Sequence, residues 1–273
     1  MRSVVQVKWV ALPLAVFFVL GAAAGCAKRT QGLSGSISIA GSTSVQPLSE
    51  ELANAFMEKN PGVRVIVAGG GSGAGIKAAQ EGTADIGSSS RELKPEEKGT
   101  VKEFMIAKDG IAVVVHPGNP VKELTLDQVR KIFAGEITNW KDVGGKDAAI
   151  NVFTREEGSG TRGAFEEIVM KDRKISGKAA VQQSTGAVRT AVAGDPNGIG
   201  YISLGSVNEA VKVLAVDGVK PGKETVLDGS YKISRPFLYL TKDEPAGLTR
   251  AFIDFVLGPE GQAIVGQEFI PVR

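Results

Sequence analysis

Ser36-Ile-Ser-Ile-Ala-Gly-Ser-Thr-Ser-Val45 takes the chain from an alternating strand into the start of a helix. Ile37 and Ile39 alternate with small polar residues, so Ser36–Ala40 reads as a half-buried strand. Gly41-Ser42-Thr43-Ser44 is a turn, and the apolar spacing from Val45 to Lys59 is helical, closed by Asn60-Pro61-Gly62. The same order recurs twice. The β-branched run Val63–Ala68 leads through Gly71-Ser72-Gly73 to a helix over Ala74–Glu81, and Ile150–Phe153 leads through Gly158-Ser159-Gly160-Thr161 to a helix ending about Met170. A helix start leaves backbone N–H groups unpaired, and the helix dipole favours negative charge there. Glycine lets that backbone approach a ligand, and Ser or Thr add hydroxyl donors. One such turn commonly only caps its helix. Three of them, with Arg155 just before the third and Asp85 at the end of a short strand Ala84–Gly87, describe a built anion site. The carboxylate is the odd member, because a site for a fully deprotonated anion should avoid one.

Further strands are expected at Ile111–Val115, Gly198–Ser203, Val211–Ala215 and Phe237–Leu240, and helices at Leu126–Phe133, Ala246–Leu257 and Glu260–Gln267. This alternation predicts α/β layers with largely parallel sheets. Open α/β sheets place ligands at the carboxyl ends of their strands, which is where all three turns lie. A cleft between two lobes would let the turns converge on one ion.

The chain begins with Arg2 and Lys8, an apolar run from Trp9 to Leu20, and small residues leading to Cys26. This is the pattern of a secretory signal over residues 1–25, and the run is shorter than the ~20 apolar residues of a spanning helix. Ala23-Ala24-Gly25-Cys26 resembles a bacterial lipobox, which would make Cys26 a lipidated N-terminus followed by a polar tether over 26–34. The alternative is a plain signal with a chance cysteine. Cys26 is the sole cysteine, so no internal disulfide forms. Removing Arg2 and Lys8 from 32 basic residues leaves 30 against 30 acidic ones. A neutral mature chain lacks the basic footprint of a general nucleic-acid binder.

The stretches Gly41-Ser-Thr-Ser-Val-Gln-Pro-Leu48, Gly70-Gly-Ser-Gly-Ala-Gly-Ile76, Ala84-Asp-Ile-Gly-Ser-Ser-Ser-Arg91, Ile132-Phe-Ala-Gly-Glu-Ile-Thr-Asn-Trp140, Arg155-Glu-Glu-Gly-Ser-Gly-Thr161 and Gly198-Ile-Gly-Tyr-Ile-Ser203 together resemble the phosphate-binding subunits of bacterial phosphate ABC importers, in their short lipoprotein form. The resemblance implies a two-lobed periplasmic-binding fold (type II) with a ligand cleft between the lobes and two crossing segments, near Val113–Pro117 and Arg235–Leu240. Lobe 1 would hold residues 35–113 and 240–273, and lobe 2 residues 114–239. The family's phosphate contacts fall on Thr43, Ser44, Ser72, Asp85, Arg155, Ser159, Gly160 and Thr161. Ser88, Ser89, Ser90 and Arg91 read as supporting loop, and Trp140 and Tyr201 as packing of the second lobe. Asp85 would accept a hydrogen bond from the P–OH that phosphate keeps near neutral pH and sulfate lacks. The implied partners are inorganic phosphate, a phosphate ABC permease and, through Cys26, a membrane; no cofactor is implied.

Any one of these residues also has an ordinary reading. Ser42 or Ser72 would cap a helix, Asp85 would cap or pair locally, and Arg155 would form a surface ion pair. A phosphate-ester hydrolase is the rival function. Gly158-Ser-Gly and Gly70-Gly-Ser-Gly do not fit Gly-x-Ser-x-Gly, and a triad would depend on His116, the one histidine. No nucleotide-binding Gly-x-x-x-x-Gly-Lys-[Ser/Thr] surrounds Gly69–Lys77, and no Cys/His cluster has metal-ligand spacing. A phosphate-sensing receptor on the same fold is a further alternative.

Overall fold

The computed structural model describes Ser3, Val4, Gln6 and residues 32–272. Apart from those first three residues, the expected signal lies outside the described residues, as do Cys26 and residues 27–31 of the tether. In chain order the elements are β1 (Ser34–Gly41), α1 (Gln46–Lys59), β2 (Gly62–Ala68), α2 (Ser72–Glu81), β3 (Ile86–Ser89), β4 (Lys102–Val115), β5 (Glu123–Leu124) and α3 (Leu126–Ala134). They continue with β6 (Asn151–Arg155), α4 (Gly160–Phe165), β7 (Ala180–Gln182), α5 (Thr185–Gly194), β8 (Gly198–Ser203), β9 (Lys212–Val213) and β10 (Ala215–Val216). The chain closes with α6 (Lys223–Leu227), β11 (Ser234–Thr241), α7 (Gly247–Leu257) and α8 (Pro259–Glu268).

The main sheet runs β2-β1-β3-β11-β4-β8-β6-β7, with β9 beside β4. The α/β units pair in parallel, β1 with β2 and β3, and β6 with β7 and β8. The expectation of largely parallel sheets is corrected at the centre, where β11 and β4 pair antiparallel with each other, β11 with β3, and β4 with β8 and β9. These central strands carry the chain between the two lobes, so they cannot follow the strand–helix–strand rule that makes neighbours parallel. β4 pairs with β11 as far as Gly110 opposite Ser234, then with β8 from Ile111 onward. The changeover therefore lies at Gly110/Ile111 and Ile233/Ser234. It precedes both expected crossings, so Ile111–Val113 sits with the second lobe and Ser234–Leu240 with the first.

Each lobe has its own core. In the first, Ile37, Ile39, Leu52, Phe56, Tyr239 and Phe252 pack together, with the Phe56 and Phe252 rings edge to face at 5.2 Å. The C-terminal helices α7 and α8 thus complete the lobe that β1 begins. In the second, Val113, Phe133, Trp140, Phe165 and Tyr201 are buried, and Phe165 stacks on Tyr201 at 4.1 Å. Trp140 and Tyr201 both pack this lobe, as expected. Sequence reading missed the first part of β4, because Glu103, Lys108 and Asp109 interrupt its apolar run. It also missed β7, α5 and α6.

Candidate anion-binding site

Five strand ends meet at one place between the lobes. β1 delivers Ser42, Thr43 and Ser44; β2 delivers Ser72 at the first turn of α2; β3 delivers Ser90. From the second lobe β6 delivers Arg155, Ser159, Gly160 and Thr161, and β7 delivers Thr185 at the start of α5. Close backbone packing draws the first three together. α2 lies on β1 and β3 through Gly75, where a side chain would come within 2.6 Å of the Ser88 carbonyl and 2.7 Å of the Ala40 carbonyl. Only glycine fits there, so the Gly-x-Gly pattern after Ser72 fixes how near the hydroxyl turns come.

Within the first lobe the hydroxyls form a directed network. Ser42 Oγ accepts from the N–H of Ser44 (3.2 Å) and of Val45 (3.4 Å), and donates to Ser90 Oγ at 2.8 Å. Ser72 Oγ accepts from the Ser90 N–H at 3.0 Å. Ser72 and Ser90 are 0% exposed and Ser42 3%. Ser44 has turned toward the other lobe, sharing hydrogen bonds with Thr161 Oγ1 (2.9 Å) and Thr185 Oγ1 (2.7 Å).

Arg155 is the only arginine of the anion turns, and 1% of its surface is exposed. Four of its five N–H donors have partners within the protein. Nε and Nη2 hold the Glu156 carboxylate at 2.9 and 2.7 Å, Nη1 donates to Thr185 Oγ1 at 3.1 Å, and Nη2 to Thr43 Oγ1 at 3.2 Å. Thr43 belongs to the first lobe, so this arginine bridges the cleft. Tyr201 fixes the backbone beneath it: its hydroxyl accepts from the Arg155 N–H at 3.4 Å and pairs with Thr154 at 2.7 Å. Burial pushes the Tyr201 hydroxyl up to about 12. Ser159 caps α4, accepting from the Arg162 N–H at 3.2 Å.

The lobes touch directly. The Gly73 N–H at the start of α2 donates to the Gly158 carbonyl at 3.0 Å. Gly160 and Gly163 lie on one face of α4 toward the first lobe. A side chain on Gly160 would overlap Ser72 Oγ and lie 2.7 Å from Ser90 Oγ, and one on Gly163 would meet the Arg91 stem at 3.0 Å. The Arg91 head turns away to Glu97 at 2.7 and 2.8 Å, which holds that carboxyl below its usual range.

Seven of the eight expected site residues are therefore together: Thr43, Ser44, Ser72, Arg155, Ser159, Gly160 and Thr161. Asp85 is not. The strand it was assigned to begins two residues later, at Ile86, which puts Asp85 before the strand rather than after it. There it is exposed and takes the Ser38 N–H at 2.8 Å and the Ser38 hydroxyl at 2.7 Å. β1 and β3 are parallel, so this end of the pair is opposite the hydroxyl turns. Asp85 pairs locally with Ser38, away from the hydroxyl turns. Sequence reading left out Ser90 and Thr185. Ser184-Thr185-Gly186 is a fourth hydroxyl turn of the same kind, with Ser184 capping α5 through the Ala187 N–H at 3.0 Å, and was legible by the same rule.

His116 lines a separate cavity of about 240 Å³ with Asn119, Trp140 and Pro196, and accepts from the Gly118 N–H; none of the hydroxyl turns lines it. Among the described residues no group of His, Cys, Asp and Glu is arranged to hold a metal ion, and no helix is long and apolar enough to cross a membrane.

Residues 27–260 match the model of the PBP superfamily domain. The phosphate-binding protein PstS of Bacillus subtilis is 34% identical over 280 residues, covering 96% of this chain and 92% of that protein. A Clostridium perfringens structure, described as a phosphate ABC transporter substrate-binding protein with bound phosphate, is 48% identical with a TM-score of 0.85, covering 88% of this chain and all of that one. An ABC-type phosphate transport receptor from Vibrio cholerae is 36% identical with a TM-score of 0.73, covering 87% of this chain and all of that one. With its two lobes, its hydroxyl-lined cleft and this degree of likeness, the chain belongs to the PBP superfamily, among the phosphate-binding proteins named PstS.

Proposed function

We propose that this chain binds inorganic phosphate outside the cytoplasm and hands it to an ABC permease for import. The carrying observation is that the first lobe's turns meet those of the second: Ser72 and Ser90 lie against Gly160, Thr43 takes a hydrogen bond from Arg155, and Ser44 pairs with Thr161. Hydroxyls, helix-start N–H groups and a buried guanidinium are the donors that a tetrahedral oxyanion needs on all sides. The lining residues are almost completely buried, which suits a free anion and leaves little space for the organic part of a phosphate ester. An ion held by both lobes binds the closed form better than the open one, so it shifts the population toward closure, and the closed form is what a permease would recognise.

With Asp85 outside the cleft, the proton of phosphate falls to groups that can accept as well as donate. Ser and Thr hydroxyls have both capacities. They can pair with P–OH, but they can also rotate to donate to sulfate, so discrimination is milder than a buried carboxylate would give.

The relatives are named as binding proteins and transport receptors rather than as enzymes, and we extend that reading to this chain, without covalent chemistry. Lipidation at Cys26 would tether it to the membrane surface. Calorimetric titration of the purified protein with phosphate, sulfate, molybdate and arsenate tests the proposal. One phosphate per chain, arsenate close behind and sulfate weaker is the expected order; no heat with phosphate refutes it. Metal-independent turnover of a chromogenic phosphate ester, lost in Ser159→Ala, would favour a hydrolase instead.

A further inference from the structure

Asp109 on β4 and Arg235 on β11 are directly opposite each other, one residue from the point where both strands pass between lobes. Their side chains are 0% and 1% exposed. Arg235 Nε and Nη2 donate to Asp109 Oδ2 at 3.0 and 2.8 Å. Burial pushes the Asp109 carboxyl up, while Arg235 opposes that rise. A pair this deep adds little net stability, because desolvating both charges offsets their attraction. Its remaining contacts give it another role. Arg235 Nη1 donates to the Ser90 carbonyl at 3.1 Å, and Ser90 belongs to the hydroxyl cluster. Asp109 Oδ1 accepts from the Leu204 N–H at 3.2 Å, and Leu204 follows β8 in the second lobe. A continuous buried polar path thus runs from Leu204 through Asp109 and Arg235 to Ser90, crossing the changeover.

We infer that Asp109 and Arg235 are positioning residues that couple the angle between the lobes to the geometry of the anion pocket, without touching the anion. The inference rests on the phosphate-binding reading. A rotation about Gly110/Ile111 moves the Leu204 N–H, the Asp109 carboxylate follows its partner, and Arg235 carries the shift to the Ser90 peptide. In a low-dielectric interior such a network is stiff, so the pocket reaches its binding geometry only at one lobe angle.

The double variant Asp109→Leu with Arg235→Met removes both charges at similar volume and leaves no unpaired ion. Arg235→Lys, as a milder change, keeps a charge beside Asp109 but loses the fork that also reaches Ser90. For both, thermal melting, calorimetric phosphate affinity and phosphate-induced compaction by small-angle scattering are compared with the parent. The double variant should melt somewhat below the parent, because the Ser90 carbonyl and the Leu204 N–H lose these partners, but stay folded, bind phosphate at least about tenfold more weakly and compact less; Arg235→Lys should lose affinity in the same direction. Unchanged affinity and compaction in both variants overturn the coupling. So does a collapse of melting and affinity together in the double variant while Arg235→Lys binds as the parent does, since that marks a purely structural pair. A parent that binds no phosphate removes the functional reading itself, and the inference with it.

Discussion

Replacing Gly160 with alanine adds one methyl group at the point where the lobes are closest. Gly160 is the first residue of α4, capped by Ser159, where alanine's advantage over glycine as a helix former is below the about 1 kcal/mol of a helix interior but of the same sign. The second lobe by itself should therefore tolerate the change. Across the cleft it does not fit. The new Cβ overlaps Ser72 Oγ and lies 2.7 Å from Ser90 Oγ and 2.9 Å from Ser72 Cβ. Carbon contacts need about 3.5–4.0 Å, so the lobes must part by about 1 Å. Ser72 cannot absorb this alone, because it is 0% exposed at the start of α2. Parting by that much takes the hydrogen bonds from Gly73 to Gly158 (3.0 Å) and between Ser44 and Thr161 (2.9 Å) out of range. An anion then loses good contact with one lobe. At about 1.5–3 kcal/mol for each hydrogen bond to a charged group, losing two amounts to about 3–6 kcal/mol, or about 10²–10⁴-fold in affinity. Calorimetry with phosphate, beside a melting curve without it, measures both parts. The expected result is melting lowered by only about a few degrees, with affinity lowered by two or more decades. Affinity within threefold of the parent would refute the claim that these turns close on one ion.

Other perturbations separate the site from its surroundings. Asp85→Asn should leave the phosphate-to-sulfate affinity ratio unchanged in competition titrations, because Asp85 holds Ser38 at the far end of β3; a changed ratio would return it to the cleft. Arg155→Lys should weaken phosphate binding by about 10–100-fold in the same titration, since one ammonium cannot replace a fork that reaches Glu156, Thr185 and Thr43 together. All three tyrosines, Tyr201, Tyr231 and Tyr239, are buried, and burial raises each hydroxyl above its ordinary value, Tyr201 to about 12. A neutral acid protected in the fold costs nothing below the unfolded value of about 10, and stability falls as pH rises above it. An ultraviolet titration should show no tyrosinate until the protein unfolds, and melting temperature should decline from about pH 10 upward; early tyrosinate absorbance would contradict this.

Much of the fold was legible because local pattern and tertiary structure agree in the α/β units. Ile37 and Ile39 alternate into the core, Gly82 and Gly135 end helices in left-handed turns, and each hydroxyl turn follows its strand as read. The crossing strands were the weak point. Asp109 and Arg235 interrupt their apolar runs, and only the facing register reveals that these charges satisfy each other. The site was legible where strand, turn and helix follow one another directly, as at Ser42–Ser44, Ser72 and Ser159–Thr161. It was misread at Asp85 because a four-residue strand, Ile86–Ser89, sets few constraints on its own position. A shift of two residues exchanged the end that faces the cleft for the end that faces solvent. Thr185 was missed for a simpler reason: the strand before it has only three residues.

The central claim is that one anion is gripped by both lobes through these turns. A crystal structure of the protein grown with phosphate tests it most directly. The account predicts one tetrahedral ion within hydrogen-bonding distance of Ser72 on the first lobe and of Arg155, Ser159 and Thr161 on the second, with Asp85 still on Ser38. Phosphate bound anywhere else, or contacting the turns of one lobe only in a closed molecule, would contradict it.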